Sequence, residues 1–173
     1  MDEQLVLIQG VQSRKRQAAE VALIRLRKIH EELNSIYGSH PSQRPSIHTP
    51  ADTAELLAPF MDHLDHEELW VILLDIKNRV KKLVKLYQGT ISSSNVRVAE
   101  VFHEAVIENA PQIIVVHNHP SGDPVPSPED VQVTRSIVQA GKLLEITVLD
   151  HIVIGAQGRW MSLRERGLGF GFA

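Results

Sequence analysis

The chain has 173 residues, 43% hydrophobic and 23% charged, with a formal net charge of -3, nine histidines and no cysteine, which fits one globular domain and a short appendage. Without cysteine there can be no disulfide framework, Cys-based zinc ribbon, thiol nucleophile or thiolate-held iron–sulfur cluster, so a metal would have to sit on His and carboxylates. The longest aliphatic and aromatic run, Leu69 to Leu74, is far short of the ~18 residues of a membrane span, and the acidic start Asp2-Glu3 is unlike a signal peptide, so a cytoplasmic protein without membrane contact is expected.

Residues 1–45 carry a net charge of +2 and residues 46–173 a net charge of -5, which predicts two modules: a helical N-terminal segment and a separate domain. From Ser13 to Tyr37 the apolar residues Ala18, Val21, Ala22, Leu26, Ile29 and Leu33 recur at three- and four-residue steps, one stripe of an amphipathic helix. Arg14 to Lys28 holds six basic residues against only Glu20. This stretch reads either as a solvated helix face or as a weak nucleic-acid contact, and it has no aromatic residue for base stacking. Gly38 ends the helix, and Ser39 to Pro50, with three prolines, reads as an extended linker.

Thr49-Pro50-Ala51-Asp52 predicts a helix start, and the helix ends near His63. Leu69 to Asp75 and Val80 to Tyr87, separated by the turn Asp75-Ile76-Lys77-Asn78, predict a β-hairpin whose first strand is buried. Val96 to Asn109 has helical spacing, and Gln112-Ile113-Ile114-Val115-Val116 is a β-branched run suited to a strand covered on both faces. A further helix and a strand at Ile146–Ile154 complete an α/β alternation, and Ala156 to Arg159 turns into a last short strand at Trp160.

His117 and His119 stand two apart at the end of the apolar strand, so both project to one face while Asn118 points away, and two imidazoles can reach a single ion. The Pro/Gly-rich loop Pro120 to Pro126 then delivers Ser127-Pro128-Glu129-Asp130 to the next helix. That tetrapeptide is also an ordinary helix N-terminus, with Ser127 as cap and Asp130 three residues on, so capping and metal ligation both remain open for Asp130. Three tempting patterns fail. His117-Asn118-His119 is not the dispersed motif of the HNH nucleases; His66-Glu67-Glu68-Leu69-Trp70 lacks the second His of a zincin helix; and zinc deaminases need a cysteine pair.

His117-x-His119, seven residues, Ser127, two residues, Asp130 resembles in full the metal-binding motif of the JAB/MPN (JAMM) metalloprotease superfamily. The string Val116 to Asp130, with Leu74 to Val80, Leu149 to Gly155 and Ser162 to Gly167, is most similar to its RadC-like branch, over roughly Ile47 to Leu168. The resemblance implies a JAB/MPN-like, cytidine-deaminase-like fold: α/β/α layers around a mixed sheet. It implies Zn2+ on His117, His119 and Asp130 with one position left to water, and a zinc-dependent hydrolase of amide bonds in a peptide or protein substrate. Glu67 or Glu68, just before the first core strand, would be the general base, with Glu67 the better match; Ser127 would donate to the oxyanion. Asp150, His151 and Glu100 match RadC-like sequences too, His151 being expected in a buried structural hydrogen bond. Leu7 to Lys15 resembles the end of the helix-hairpin-helix unit that precedes the JAB domain in that branch, which carries a DNA-repair label. Gln12 stands where its second Gly would fall. The alternative function is thus a DNA-associated protein whose JAB domain is a scaffold.

Overall fold

The computed structural model describes residues 44–89 and 96–171. The expected N-terminal helix, the basic stretch Arg14 to Lys28 and the hairpin remnant around Gly10 lie outside them. Helix α1 (Pro50–Met61) is started by a capping box, with the Thr49 side chain accepting from the Asp52 N–H and Asp52 accepting from the Thr49 N–H, and by Pro50 in its first turn. Strands β1 (Glu68–Leu74) and β2 (Val80–Gln88) form the expected hairpin, helix α2 spans Val98–Ile107, and β3 spans Gln112–Asn118. Helix α3 (Pro128–Leu144) and strands β4 (Thr147–Ile154) and β5 (Trp160–Ser162) follow.

The sheet order is β2-β1-β3-β4-β5, with β3 and β4 parallel and the other neighbours antiparallel, so the sheet is mixed. Its two faces bury separate cores. Leu69, Val71, Leu73, Ile113, Val115 and Val148 pack with Val101, Phe102, Val133 and Ile137 of α2 and α3. On the opposite face Trp70, Ile72, Leu74, Ile114, Val116 and Ile152 pack with Leu57 and Met61 of α1. This is the α/β/α layering expected, and it explains why β1 and β3 are apolar at nearly every position.

Two local features depart from a simple reading. The end of the expected linker is not free chain: Ser46 bridges Arg79, the Ile47 N–H donates to the Asn78 carbonyl at 2.9 Å, and Ile47 is buried. Strand β4 contains a bulge. Ile113 pairs with Val148 but Ile114 with Asp150, so Leu149 is the extra residue and the facing of everything after it is reversed. Val148 therefore faces α3, Asp150 and Ile152 face α1, and His151 returns to the α3 side.

Candidate metal centre

The site lies at the carboxyl end of β3, where it meets the N-terminus of α3, the usual place for ligands in sheets with parallel crossovers. Strand pairing carries β3 through His117 and Asn118, and His119 follows with its N–H donating to the Ile154 carbonyl at 2.9 Å. Loop 120–126 folds back on the strand end, held by the Gly122 N–H to the His119 carbonyl at 2.9 Å and the Ala156 N–H to the Gly122 carbonyl at 3.0 Å. Gly155 lets that loop approach closely, since a Cβ there would lie 2.5 Å from the Gly122 oxygen.

His117, His119 and Asp130 converge, each offering one ligand atom within 4.8 Å of the others. The two Nε2 atoms are 3.0 Å apart. Asp130 Oδ1 is 3.4 Å from His117 Nε2, and Oδ2 is 3.4 Å from His119 Nε2. Ligand atoms 2.0–2.1 Å from a tetrahedral zinc ion would be about 3.3–3.4 Å apart, close to the separation of each imidazole nitrogen from its nearer carboxylate oxygen, so the group could hold such an ion. His117 and Asp130 are buried, whereas the His119 side chain keeps 14% exposure, leaving the approach on its side.

The hydrogen-bond partners at Nδ1 make Nε2 the unprotonated nitrogen of each ring in its neutral form. His119 Nδ1 lies 2.8 Å from the Asp123 carbonyl, which only accepts, so Nδ1 carries a proton, and in the neutral ring Nε2 is left bare. His117 Nδ1 lies 2.8 Å from His151 Nε2, and His151 Nδ1 lies 2.6 Å from the Thr134 hydroxyl. Complete burial, reinforced by the neighbouring His117, holds the His151 pKa well below its ordinary value, so this ring is neutral.

Asp130 caps α3 and its carboxylate also converges with the two histidines, so capping does not exclude ligation. Its Oδ2 accepts from the Ser127 N–H and from the Ser127 hydroxyl, each at 2.7 Å, while its own N–H donates to Ser127 Oγ. Burial pushes its carboxyl up, but hydrogen bonds from His117 and His119, the charge on His117 and the Ser127 hydroxyl outweigh that and hold it far below the usual carboxylate range. The ionised carboxylate is ready to meet positive charge at the two Nε2 atoms, whether proton or cation. His119 responds in kind: its contact with Asp130 raises its pKa against the lowering effect of burial, with the Asp123 carbonyl and the Glu67 charge adding to the rise.

The two glutamates before β1 separate by strand parity. Leu69 pairs with His117, and beyond that pair the Glu68 N–H donates to the Asn118 side chain in place of a further rung. Glu68 is on the α1 face, buried, where its carboxylate accepts from Trp70 Nε1 at 2.8 Å and pairs with Lys85 and His66. Glu67 is half-buried and close enough to act electrostatically on His119. Asn118, facing away from the site, joins these parts: its Oδ1 accepts from the Glu68 N–H at 2.8 Å and its Nδ2 donates to the His66 carbonyl at 2.9 Å. It thus grips the chain on both sides of Glu67.

Other sequence candidates lie elsewhere. Glu100 accepts from the Tyr87 hydroxyl and pairs with Arg97, and Glu104 pairs with Lys82. Asp150 accepts from Ser162 Oγ at 2.6 Å and from the Arg164 N–H at 3.2 Å, tying β4 to the turn after β5. The residues missed by sequence reasoning are Asp123 and Thr134; the signal for Thr134 was its position four residues after Asp130, on the same helix face.

Residues 47–168 match the model of the RadC-like JAB domain. The chain belongs to the RadC-like JAB family. Among curated relatives of this RadC-like chain, a "UPF0758 protein" of Chloroflexus aurantiacus is 59% identical over 128 residues, covering 74% of this chain and 56% of the relative. That of Roseiflexus sp. (strain RS-1) is 58% identical over 129 residues, covering 75% and 55%. "UPF0758 protein STH371" of Symbiobacterium thermophilum is 48% identical over 128 residues, covering 74% and 54%. The chain spans a little over half the length of these relatives. No helix among its described residues is long and apolar enough to cross a membrane.

Proposed function

We propose that this RadC-like JAB domain is a zinc-dependent hydrolase of amide bonds in a peptide or protein, acting in the cytoplasm. The observation that carries the reading is the convergence of two imidazole nitrogens and a carboxylate at a point buried on one side and approachable on the other. An N,N,O donor set without thiolate and with room for a fourth ligand is the set of catalytic rather than structural zinc sites. Zinc there would lower the pKa of water to roughly 7 and polarise a carbonyl.

The chain's own residues then divide the remaining work. Glu67, close enough to act electrostatically on His119, takes the proton of the attacking water and returns it to the leaving nitrogen. Ser127 turns its hydroxyl from Asp130 toward the oxyanion, a kind of contact worth roughly 3 kcal/mol where such donors have been removed. Asp130 and the two histidines hold their positions throughout.

The test has two parts. Protein purified without a His tag should contain near-stoichiometric zinc or take it up on titration; failure of both removes the proposal. Wild type and Glu67→Gln are then compared on a cellular proteome, where products that disappear in the variant identify substrates, and identical profiles would remove Glu67 as base. A second reading, a DNA-associated protein with the JAB domain as scaffold, is favoured by the basic stretch Arg14 to Lys28. It predicts DNA retention that falls steeply with salt and disappears when residues 1–45 are deleted.

A further inference from the structure

We infer that Thr134 and His151 are positioning residues that decide which ring nitrogen of His117 carries its proton, and thereby keep the metal-facing nitrogen bare. The inference rests on the metal-site reading above but concerns two residues that do not touch the ion.

The chain of contacts has one consistent polarity. Thr134 Oγ1 lies 2.6 Å from the Asp130 carbonyl oxygen, four residues back on α3, and 2.6 Å from His151 Nδ1. The carbonyl can only accept, so the hydroxyl proton is spent there and the Thr134 oxygen must accept from His151 Nδ1–H. His151 then presents Nε2 as a lone pair, 2.8 Å from His117 Nδ1, which must donate. The remaining ring nitrogen of His117, Nε2, is bare in the neutral ring and points at His119 and Asp130. Thr134, His151 and His117 are all at most 1% exposed, so water cannot replace a missing link.

The relay is also closed on itself. It begins at the carbonyl of one ligand, Asp130 on α3, and ends at the ring of another, His117 on β3, passing through β4. The bulge at Leu149 is what turns His151 to this face, diagonal to His117 across the β3–β4 ladder. His119, by contrast, has its proton fixed by a main-chain carbonyl, which no side-chain substitution removes.

Replacing Thr134 by Val keeps the shape but removes the acceptor. A buried N–H without a partner is costlier than a bare nitrogen, so the His151 proton moves to Nε2. His117 Nδ1 must then accept, and its own proton is driven to Nε2, the atom that faces the ion. Positioning through a hydroxyl therefore makes a prediction that simple packing does not.

The experiment records histidine ring 15N shifts of the metal-free full chain and titrates each form with zinc. In wild type His117 should be protonated on Nδ1; in Thr134→Val on Nε2, with zinc affinity reduced ~10–100-fold, the range for lost outer-layer partners. Thr134→Ser, which keeps the hydroxyl, should behave as wild type. Unchanged tautomer and affinity in Thr134→Val, or an Nε2 proton on wild-type His117, overturns the inference. If Thr134→Val does not fold, the wild-type tautomer decides alone. A wild type that binds no zinc removes the metal-site reading, and the shifts still decide this one.

Discussion

Asp130→Asn separates the capping role that the structure shows for this carboxylate from its proposed role as a metal ligand. As a cap, Asp130 gives Oδ2 to the Ser127 N–H and hydroxyl, and an Asn oxygen can take both bonds, so the metal-free variant should lose about 1 kcal/mol or less. As a ligand, it supplies the only negative charge among the three convergent groups, and Asn cannot replace that. At free zinc a thousand times the dissociation constant, ligation stabilises the folded protein by about 4.1 kcal/mol. For a domain of about 130 residues, 1 kcal/mol corresponds to roughly 4 °C, so zinc should raise the wild-type melting temperature by roughly 15 °C. The assay is paired thermal melts with zinc and with chelator. Wild type should show the full shift; Asp130→Asn should melt within roughly 4 °C of wild type in chelator and show little response to zinc. A variant that keeps the full zinc shift would refute the reasoning, leaving Asp130 a helix cap alone.

Glu67→Gln should retain zinc and lose hydrolysis, whereas Glu68→Ala should lose stability by about 1–3 kcal/mol in urea unfolding, because it strands the Trp70 Nε1–H on the buried α1 face. A stable Glu68→Ala that no longer hydrolyses would exchange their roles. The His119 pKa is raised above 6.5 by Asp130, so in metal-free protein the stability from that pair is complete below pH 6.5 and is lost as pH rises through the raised value. Zinc binding has the opposite sign, since it needs a neutral ring, and calorimetric titrations should show affinity falling as pH drops through the same window; a flat profile counts against His119 as a ligand. Gly155→Ala sets a Cβ 2.5 Å from the Gly122 oxygen and 2.9 Å from Pro124 Cδ, and should cost about 1–3 kcal/mol. It should also weaken zinc binding, because the displaced loop carries the Asp123 carbonyl that orients His119; wild-type zinc affinity would show that the loop shift does not reach His119.

Much of the frame is legible because local chemistry and tertiary packing agree. The run Ile113 to Val116 has no stable alternative to a doubly covered strand, and Thr49-Pro50 and Ser127-Pro128 start helices through caps that act within four residues. The ligand trio is legible because its spacing is carried by one strand, one loop and one helix start. What resisted reading is long-range. Strand β1 is buried on both sides, so no polar alternation marks that Glu68 turns to Trp70, Lys85 and His66 while Glu67 acts electrostatically on His119; only the folded contacts do. Counting parity along β4 from Val148 would have turned His151 toward α1, because the bulge at Leu149 leaves no mark in composition. The linker ending at Pro50 is polar and Pro-rich, yet it supplies Ile47 to a core whose other members lie up to a hundred residues away.

Asn118 gives the centre a rigidity that belongs to the backbone. With its neighbours His117 and His119 aimed one way and its own amide clasping the peptides around Glu67 on the other, one side chain ties the strand that carries the two histidines to the segment that carries the glutamate. A tie of that kind does not depend on the length or composition of the surface loops, which can vary while the two histidines and Glu67 stay joined through one amide.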